Sequence, residues 1–383
     1  MRHQNSVFHS ITKHLPWRAF ERLVEEHGAD ARVRKLTTKS QLLALLYGQL
    51  AGAESLRDIV GALESHAPKL YHLGARTASR STLSDANNLR SAEVFTGLFA
   101  RLVAQAMPGL RKKMREPLYL IDATSFRLNG LCEWARFSTN ACGAKLHVVY
   151  DPDADCPLYA ALSGPKVNDI TAAKEMPIDP AATYVFDLGY YDYGWWAKLD
   201  AAGCRIVTRL KANTKLSHVV ESEVGEGSDI LSDRIGRLPA RLAASRKNPF
   251  ADPVREVRVR IETGKVLRIL SNDLDAPAEE IAALYKRRWQ IELFFRWIKQ
   301  TLKIRHFLGR SENAVRIQLA VALIAFLLLR LAQEAQNVIQ SPLAFARLVR
   351  VNLMHRRPIN RLRDLHPDPL QDGAQLGLDL SPC

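Results

Sequence analysis

The sequence predicts an α/β protein that carries a helical region ahead of its core and a β-rich insertion inside it. Three patterns support this. Residues 1 to about 110 place apolar side chains at helical spacing between small-residue breaks. Residues 118–210 alternate short β-prone runs with helix-like stretches. Residues 254–270 alternate Val and Ile with Arg and Glu around a Thr263-Gly264 turn, the pattern of a hairpin with one apolar and one basic face. At 383 residues, 47% of them hydrophobic, the chain can bury a substantial core in two or three domains, which excludes disorder as its main state.

In chain order, Thr38 with Gln41 has capping-box spacing ahead of Leu42, Leu43, Leu45 and Leu46, and Gly52 breaks that run. Ser55-Leu-Arg-Asp58 starts a second helix, and a third starts at Ser81 or Thr82 and heads toward Leu98. Short helices with such breaks suit a helix-turn-helix DNA reader, and equally a helical packing or dimerisation domain. Pro108-Gly109 and the basic run at 111–115 mark a boundary. The first part of the core, 111–215, follows: a short apolar run (118–121) ending at Asp122, strands at 145–150 and 157–162, a short helix at 170–176, a strand at 184–186 ending before Asp187, a helix at 195–202 closed by Gly203, and a strand at 205–210. Residues 216–275 form the β-rich insertion, and helices return at 276–332. A basic region, 333–383, closes the chain, with a tail after Pro367 that is expected to be mobile.

Composition narrows the function. Lys plus Arg outnumber Asp plus Glu by 54 to 40, a net charge of +14, which favours a polyanionic partner and nucleic acid first. The longest apolar run, 319–329, has 11 residues where about 20 would span a bilayer. The polar N-terminus carries no signal-peptide core, and five cysteines without a CxxC argue against a disulfide framework or structural zinc. A soluble intracellular protein is expected.

Asp122 and Asp187 share a setting: each follows a short β-prone run and precedes a turn or helix. In an open α/β sheet such side chains meet beyond the carboxyl ends of adjacent strands and can share a divalent cation; each is also readable as a turn or cap residue. The segment 285–299 is sharper. On a helix at ~100° per residue, Tyr285, Arg288, Glu292, Arg296 and Lys299 fall within one stripe about 80° wide, and Ile291, Phe294, Phe295, Ile298 and Leu302 form a separate stripe able to bury itself. Residues 285–310 hold eight Lys or Arg and one acid, more than intrahelical pairing of Glu292 explains. A carboxylate bracketed by cations suits a phosphodiester substrate: magnesium takes carboxylate and phosphate oxygens, and Arg and Lys hold flanking phosphates.

At these residues the chain resembles a known family. Tyr285, Arg288, Glu292 and Lys299 have the spacing of the YREK signature of the insertion-sequence-four family of bacterial DDE transposases. Leu120-Ile-Asp122-Ala-Thr-Ser and Val185-Phe-Asp187-Leu-Gly-Tyr190 resemble the regions of that family's two catalytic aspartates, and the helical N-terminal region is similar to its leader domain. The resemblance implies an RNase H-like core interrupted by the β-rich insertion, behind a DNA-binding helical domain. It implies a metal-binding triad of Asp122, Asp187 and Glu292, taking two Mg²⁺ ions with Mn²⁺ as substitute. Lys299 and Arg288 would contact the element-end backbone, and Tyr285 a phosphate near the cleavage site. The implied reaction is hydrolysis at the element ends followed by attack of the freed 3′-hydroxyls on target DNA, by a dimer acting on paired ends at the bacterial nucleoid. The alternatives are an RNase H-like nuclease without strand transfer and a DNA-binding regulator without cleavage. Some relatives brace a flipped base with a Trp in the insertion during a hairpin step; here no Trp lies between Gly203 and Arg288, Phe250 or Trp289 would have to stand in for it, and the hairpin step is left open.

Four further readings concern single groups. His147 is a metal neighbour or a packed strand histidine. Asp169 reads as a helix N-cap. Arg209 and Lys211, at alternating strand positions, either face DNA or form a solvated basic edge. Arg347, Arg350, Arg356, Arg357, Arg361 and Arg363 make a second basic cluster suited to a non-specific grip on DNA.

Overall fold

The protein was analysed as a computed structural model that describes residues 5–363 apart from 32, 112–115, 140, 226–227, 243–245, 303 and 305–306. Most of the basic run at 111–115 and the tail after Pro367 therefore lie outside the described residues.

The N-terminal region is helical: α1 (Val7–Thr12), α2 (Trp17–Glu26), α3 (Thr38–Ala51), α4 (Leu56–Ser65), α5 (Ala67–Leu70), α6 (Arg80–Leu89) and α7 (Glu93–Leu110). Caps set their ends. Thr37, not Thr38, caps α3 by accepting from the Ser40 amide, which frees Thr38 and Gln41 to bond Asp30 and Asn87. Gly52, at φ 74°, ends α3 in the left-handed region that glycine enters without strain. Ser55 and Asp58 form the expected capping box. α6 starts at Arg80, one or two residues earlier than expected, because Ser79 is its N-cap, and it ends at Leu89 instead of running on to Leu98, which lies in the separate helix α7. Pro108 ends no helix: α7 carries it in its last turns.

The core strands are β1 (Leu118–Leu128), β2 (Arg136–Ser138), β3 (Ala141–Asp151), β4 (Cys156–Ser163), β5 (Thr183–Val185) and β6 (Arg205–Arg209), with α8 (Asp169–Ala173) and α9 (Tyr193–Ala201) between the later ones. Residues 216–275 add β7 (Ser217–Ser222), β8 (Ile230–Arg237), β9 (Arg241–Leu242), β10 (Arg246–Lys247), β11 (Pro253–Arg260) and β12 (Val266–Ser271). Ten of these strands form one sheet in the order β2-β3-β1-β5-β6-β12-β11-β8-β7, with β4 also on β3. β1 runs antiparallel to β3 and parallel to β5, β5 is parallel to β6, and the inserted strands join through the antiparallel pair β12–β6.

The chain ends with α10 (Ala278–Arg287), α11 (Trp289–Thr301), α12 (Glu312–Gln336) and α13 (Pro342–Asn352). The sheet separates two cores. Leu120, Val185, Val207 and Ile269 face the large one, shared with Phe294, Ile298, most of α12 and the N-terminal helices. Ile121, Phe186, Ile206 and Leu270 face the smaller one, filled by Trp195, Trp196 and Leu199 of α9.

Two expectations need correction. The apolar run at 319–329 is the middle of α12, a 25-residue helix that is by length and composition apolar enough to cross a membrane; 83% of its most apolar 18-residue stretch is buried within the protein. The hairpin at 254–270 does not simply present a basic face. β11 is flanked by β8 and β12 and touched by α10, so its charges are covered and must pair. Arg255 forks onto Asp233 at 2.8 and 2.5 Å, and Glu256 accepts from Arg258 and Arg268 at 3.0 and 2.6 Å.

Candidate active site

β1 and β5 pair at Leu120 opposite Val185, and β5 and β6 at Val185 opposite Val207. Side chains alternate between faces, so two residues beyond these pairs come Asp122 on β1, Asp187 just past the end of β5, and Arg209 at the end of β6. β5 stops at Val185, and Asp187 follows in a turn where its Oδ1 accepts from the Gly189 amide at 2.8 Å. β1 does not stop at Asp122, as its sequence suggested. It runs on to Leu128 along β3, so Asp122 stands in mid-strand where the β5 edge falls away, its Oδ1 accepting from the Ala123 amide at 2.8 Å.

The third carboxylate comes from α11, whose Ile291, Phe294, Phe295 and Ile298 are buried as the helical stripe required. That leaves Glu292 on the flank above β1, with its side chain 31% exposed against 19% for Asp122. The segment 285–299 is not one continuous helix. α10 ends at Arg287 and α11 begins at Trp289, with three-residue bonds from the Arg288 amide to Tyr285 and from the Ile291 amide to Arg288. The tighter turn moves Tyr285 off the exposed stripe and buries it.

Arg288, at this junction, links two of the acids: its Nη2 donates to Glu292 at 2.5 Å and its Nη1 lies 3.5 Å from Asp122. Burial and the charges of Asp187 and Glu292 push the Asp122 carboxyl up to about 6, against the pull of the Ala123 amide and Arg288. Burial lowers Arg288, but Glu292, Tyr285 and Asp122 outweigh it and hold the guanidinium above its ordinary value. Burial raises the Tyr285 hydroxyl, with Arg288 and Arg209 opposing and Asp187 adding. Asp122 therefore senses the charges of both other carboxylates.

Among the described residues no three Asp, Glu, His or Cys groups stand close enough to hold one metal ion as they are. The donor set still suits a hard divalent cation: these are oxygen ligands whose mutual repulsion a positive charge relieves, and one guanidinium already bridges two of them.

An open cleft of about 410 Å³ adjoins the acids, lined by Asp122, Thr124, Glu292, Arg296 and Lys299 among others. Lys299 is half-buried with Nζ 5.1 Å from the Phe126 ring centre, and Arg296 is exposed 6.0 Å from the Trp289 ring. Arg209 is no solvated edge residue: it is half-buried, its Nε has no hydrogen-bond partner among the described residues, and it acts on Tyr285. Lys211 is exposed, with Nζ 4.2 Å from the Tyr191 ring. Of the two aromatic substitutes, Phe250 is buried and Trp289 is 50% exposed.

Sequence reasoning missed the ground behind Asp187. Asn168 occupies the α8 N-cap position, not Asp169, and Asp169 binds Lys145 at 3.0 Å. His147 is a packed histidine, bonded to Ser163 at 2.7 Å and 3.9 Å from Asp169. A side chain at Gly189 would place Cβ 3.0 Å from Asp187 Oδ1 and 3.3 Å from Asp169 Oδ2. Tyr190 is fully buried; its hydroxyl has no hydrogen-bond partner among the described residues and is raised by burial and by Asp122, Asp169 and Asp187. The alternation of Lys145 and His147 on one strand was the available signal, but their partner lies 22 or more residues away.

Residues 113–328 match the family described as the transposase DDE domain, and residues 3–76 match a domain of unknown function. Sinorhizobium fredii y4zB, whose name calls it a transposase, is 41% identical over 78% of this chain and 83% of its own length. A Geobacillus stearothermophilus protein named as the transposase of insertion sequence element IS5377 is 27% identical over 67% of this chain and 68% of its own. Transposase InsG of element IS4 from Escherichia coli is 26% identical over 42% of this chain and 38% of its own. A solved piggyBac transposase synaptic complex with hairpin DNA aligns at TM-score 0.47 and 12% identity over 96% of this chain and 83% of that one, too distant to bear on fold or function. The family match covers more than half of the chain, and y4zB is similar across most of both lengths: the chain belongs to the DDE transposases of bacterial insertion elements.

Proposed function

We propose that Asp122, Asp187 and Glu292 form the catalytic triad that cuts DNA at the ends of an insertion element and joins the freed 3′-hydroxyls to target DNA. The observation that carries the proposal is the convergence of these carboxylates from β1, the turn after β5 and α11 upon one field that raises Asp122. The strand order β4-β3-β1-β5-β6, with its first three strands antiparallel and its last three parallel, supports an RNase H-like core.

The triad would hold divalent cations, two magnesium ions in this reading with manganese able to replace them, which supply an activated hydroxyl and a positive charge beside the leaving oxygen. The protein's own groups do the rest. Arg288 holds Asp122 and Glu292 through two different nitrogens, and its fork also suits a phosphate of the element end. Lys299 and Arg296 line the cleft where flanking phosphates would pass, and Tyr285 and Arg209 stand beside Asp187 to fix the scissile region. Lys211 would contact the backbone further out. The acting form is a homodimer on paired ends in the bacterial cytoplasm.

The test combines protein, Mg²⁺, a labelled element end and a target plasmid. Wild type should give joined products, whereas Glu292→Gln should bind the end with little change and neither cut nor join it. Nicks without joining would support a plain nuclease, and Mg²⁺-dependent nicking by the variant would remove Glu292 from the chemistry.

A further inference from the structure

Sheet pairing holds Asp122 but not Asp187. Asp122 lies in mid-strand opposite Val148, where β1 is paired with β3 on both sides of it. β5 ends at Val185, so Asp187 lies beyond the last rung, and what stands around its turn decides where its carboxylate points. One side of that turn is Asp169, at the start of α8. A Cβ on Gly189 would lie 3.3 Å from Asp169 Oδ2, 3.9 Å from Asp169 Cβ and 3.0 Å from Asp187 Oδ1, so the two acids flank the same glycine. Asn168 takes the N-cap position of α8, and the Asp169 carboxylate turns to β3. Its Oδ1 accepts from Lys145 Nζ at 3.0 Å and lies 3.9 Å from Nδ1 of the buried His147. Lys145 also donates to the Val167 carbonyl at 3.0 Å, so one ammonium holds both the loop before α8 and its first residue. Lys145 and His147 are paired with Ser125 and Ala123 of β1, just past Asp122. The fully buried Tyr190 hydroxyl is acted on by Asp122, Asp169 and Asp187 alike.

We propose that Lys145 and Asp169 are positioning residues: joined to each other, they fix the turn that carries Asp187 against β3 and so set that carboxylate relative to Asp122. The inference deepens the triad reading above and rests on it. Magnitudes favour this role over simple bracing. A partly exposed ion pair contributes about 0–1 kcal/mol to stability, a weak reason to place a lysine on a strand flanked by β1 and β4. Groups that orient the ligands of a metal, in contrast, commonly change affinity or rate about 10–100-fold. Charge supplies a second reason. Asp169 without Lys145 would add an uncompensated negative charge beside Asp187 and press its carboxylate away from the turn; the ammonium cancels that charge and leaves the side chain in place as a wall. Neither residue lines the cleft, so both act through Asp187 and not on the substrate.

The experiment compares full-length wild type with Lys145→Met, Asp169→Ala, the double variant and Lys145→Arg. It reads the melting temperature in EDTA, the Mg²⁺ or Mn²⁺ concentration that gives half of the cation-induced rise in melting temperature, and nicking of a labelled element end at saturating Mg²⁺. In each of Lys145→Met and Asp169→Ala the cation midpoint should rise, and nicking should fall, by about tenfold. Their melting temperatures in EDTA should stay close to that of wild type. The double variant should lose no more than either single one, because the two residues act as a unit. Lys145→Arg keeps a charge on Asp169 and should recover most of both losses. A wild-type midpoint in the single variants overturns the proposal, as do additive losses in the double variant. So does a loss of nicking that merely follows a lower melting temperature in EDTA. If either single variant fails to fold, Asp169→Asn keeps the side chain's size and decides, a wild-type midpoint there overturning the proposal equally. Wild type without a cation shift, or a shift that Asp122→Asn/Asp187→Asn retains, counts against the triad reading and this proposal with it. A normal wild-type shift that the pair variants keep counts against the pair alone.

Discussion

Asp122 on β1 and Asp187 in the turn after β5 each lie two residues past the paired Leu120 and Val185, and the Asp187 charge acts on Asp122. The carboxylates are 65 positions apart in sequence, yet three rungs of parallel pairing set their approach. Burial does most to raise the Asp122 carboxyl, and the nearby charges of Asp187 and Glu292 add to it, so that it is pushed up to about 6.

Removing the Asp122 charge should stabilise the metal-free fold at neutral pH. A folded-state value raised from 3.8 to about 6 means that the native protein holds this proton more tightly than the unfolded chain. Stability from this group is thus full below about pH 4 and is lost as pH rises through 6. The loss amounts to at most roughly 3 kcal/mol at ~1.4 kcal/mol per pH unit. Asp122→Asn should exceed wild type in urea unfolding at pH 7.5 in EDTA, and the gap should close near pH 4. A variant that is less stable at pH 7.5 would contradict the strained-carboxylate account.

Divalent cations should produce the complementary effect. If magnesium or manganese takes the three acids, the melting temperature of wild type should climb with cation concentration, because a ligand bound only by the native state stabilises it. Asp122→Asn/Asp187→Asn should show no such climb. Equal shifts in both proteins would place the cation elsewhere.

Gly189→Ala should disable the site without unfolding the protein. The new methyl group would lie 3.0 Å from Asp187 Oδ1 and 3.3 Å from Asp169 Oδ2, so the Asp187 carboxylate has to give way by a few tenths of an ångström. End cleavage is expected to fall at least tenfold with a melting temperature close to that of wild type. Undiminished cleavage would show that this turn does not aim Asp187.

Arg288→Lys should behave as a severe change despite keeping the charge. The guanidinium reaches Asp122 and Glu292 with two different nitrogens, a span that one ammonium cannot reproduce. Weaker end binding with lower cleavage is expected in gel-shift and cutting assays, and wild-type behaviour would reduce Arg288 to a bystander.

The inserted strands offer a stability test away from the cleft. Asp233→Asn leaves the buried Arg255 guanidinium without its charged partner, and breaking one side of a buried pair costs about 3–5 kcal/mol. Denaturant unfolding should show a loss of that order, and a change under 1 kcal/mol would mean that solvent reaches the pair.

The candidate triad was legible because its chemistry is local in sequence. The short runs before Asp122 and Asp187, the spacing from Tyr285 to Lys299, and the apolar stripe of α11 all follow from backbone periodicity. Caps at Ser55 and the closure of α9 by Gly203 were readable for the same reason. Less was visible where a residue's role depends on what covers it. The 285–299 segment carries no Pro or Gly to announce the junction at Arg288. Nothing around Arg255 foretold that it would be buried on Asp233, since alternation of apolar and charged residues describes a half-solvated strand as well as a covered one.

The chain's own order of residues thus determined which groups are present, how they are spaced, and which face of each element is apolar. Tertiary structure alone decided the rest: that β1 continues past Asp122, that Arg209 acts on the buried Tyr285, that Asp169 stands beside Gly189 and binds Lys145, and that α1 pairs with the segment after α13. The reason is physical. Periodicity acts over one or two turns or a few rungs, whereas burial and electrostatic fields are set by neighbours that come together only when distant segments pack.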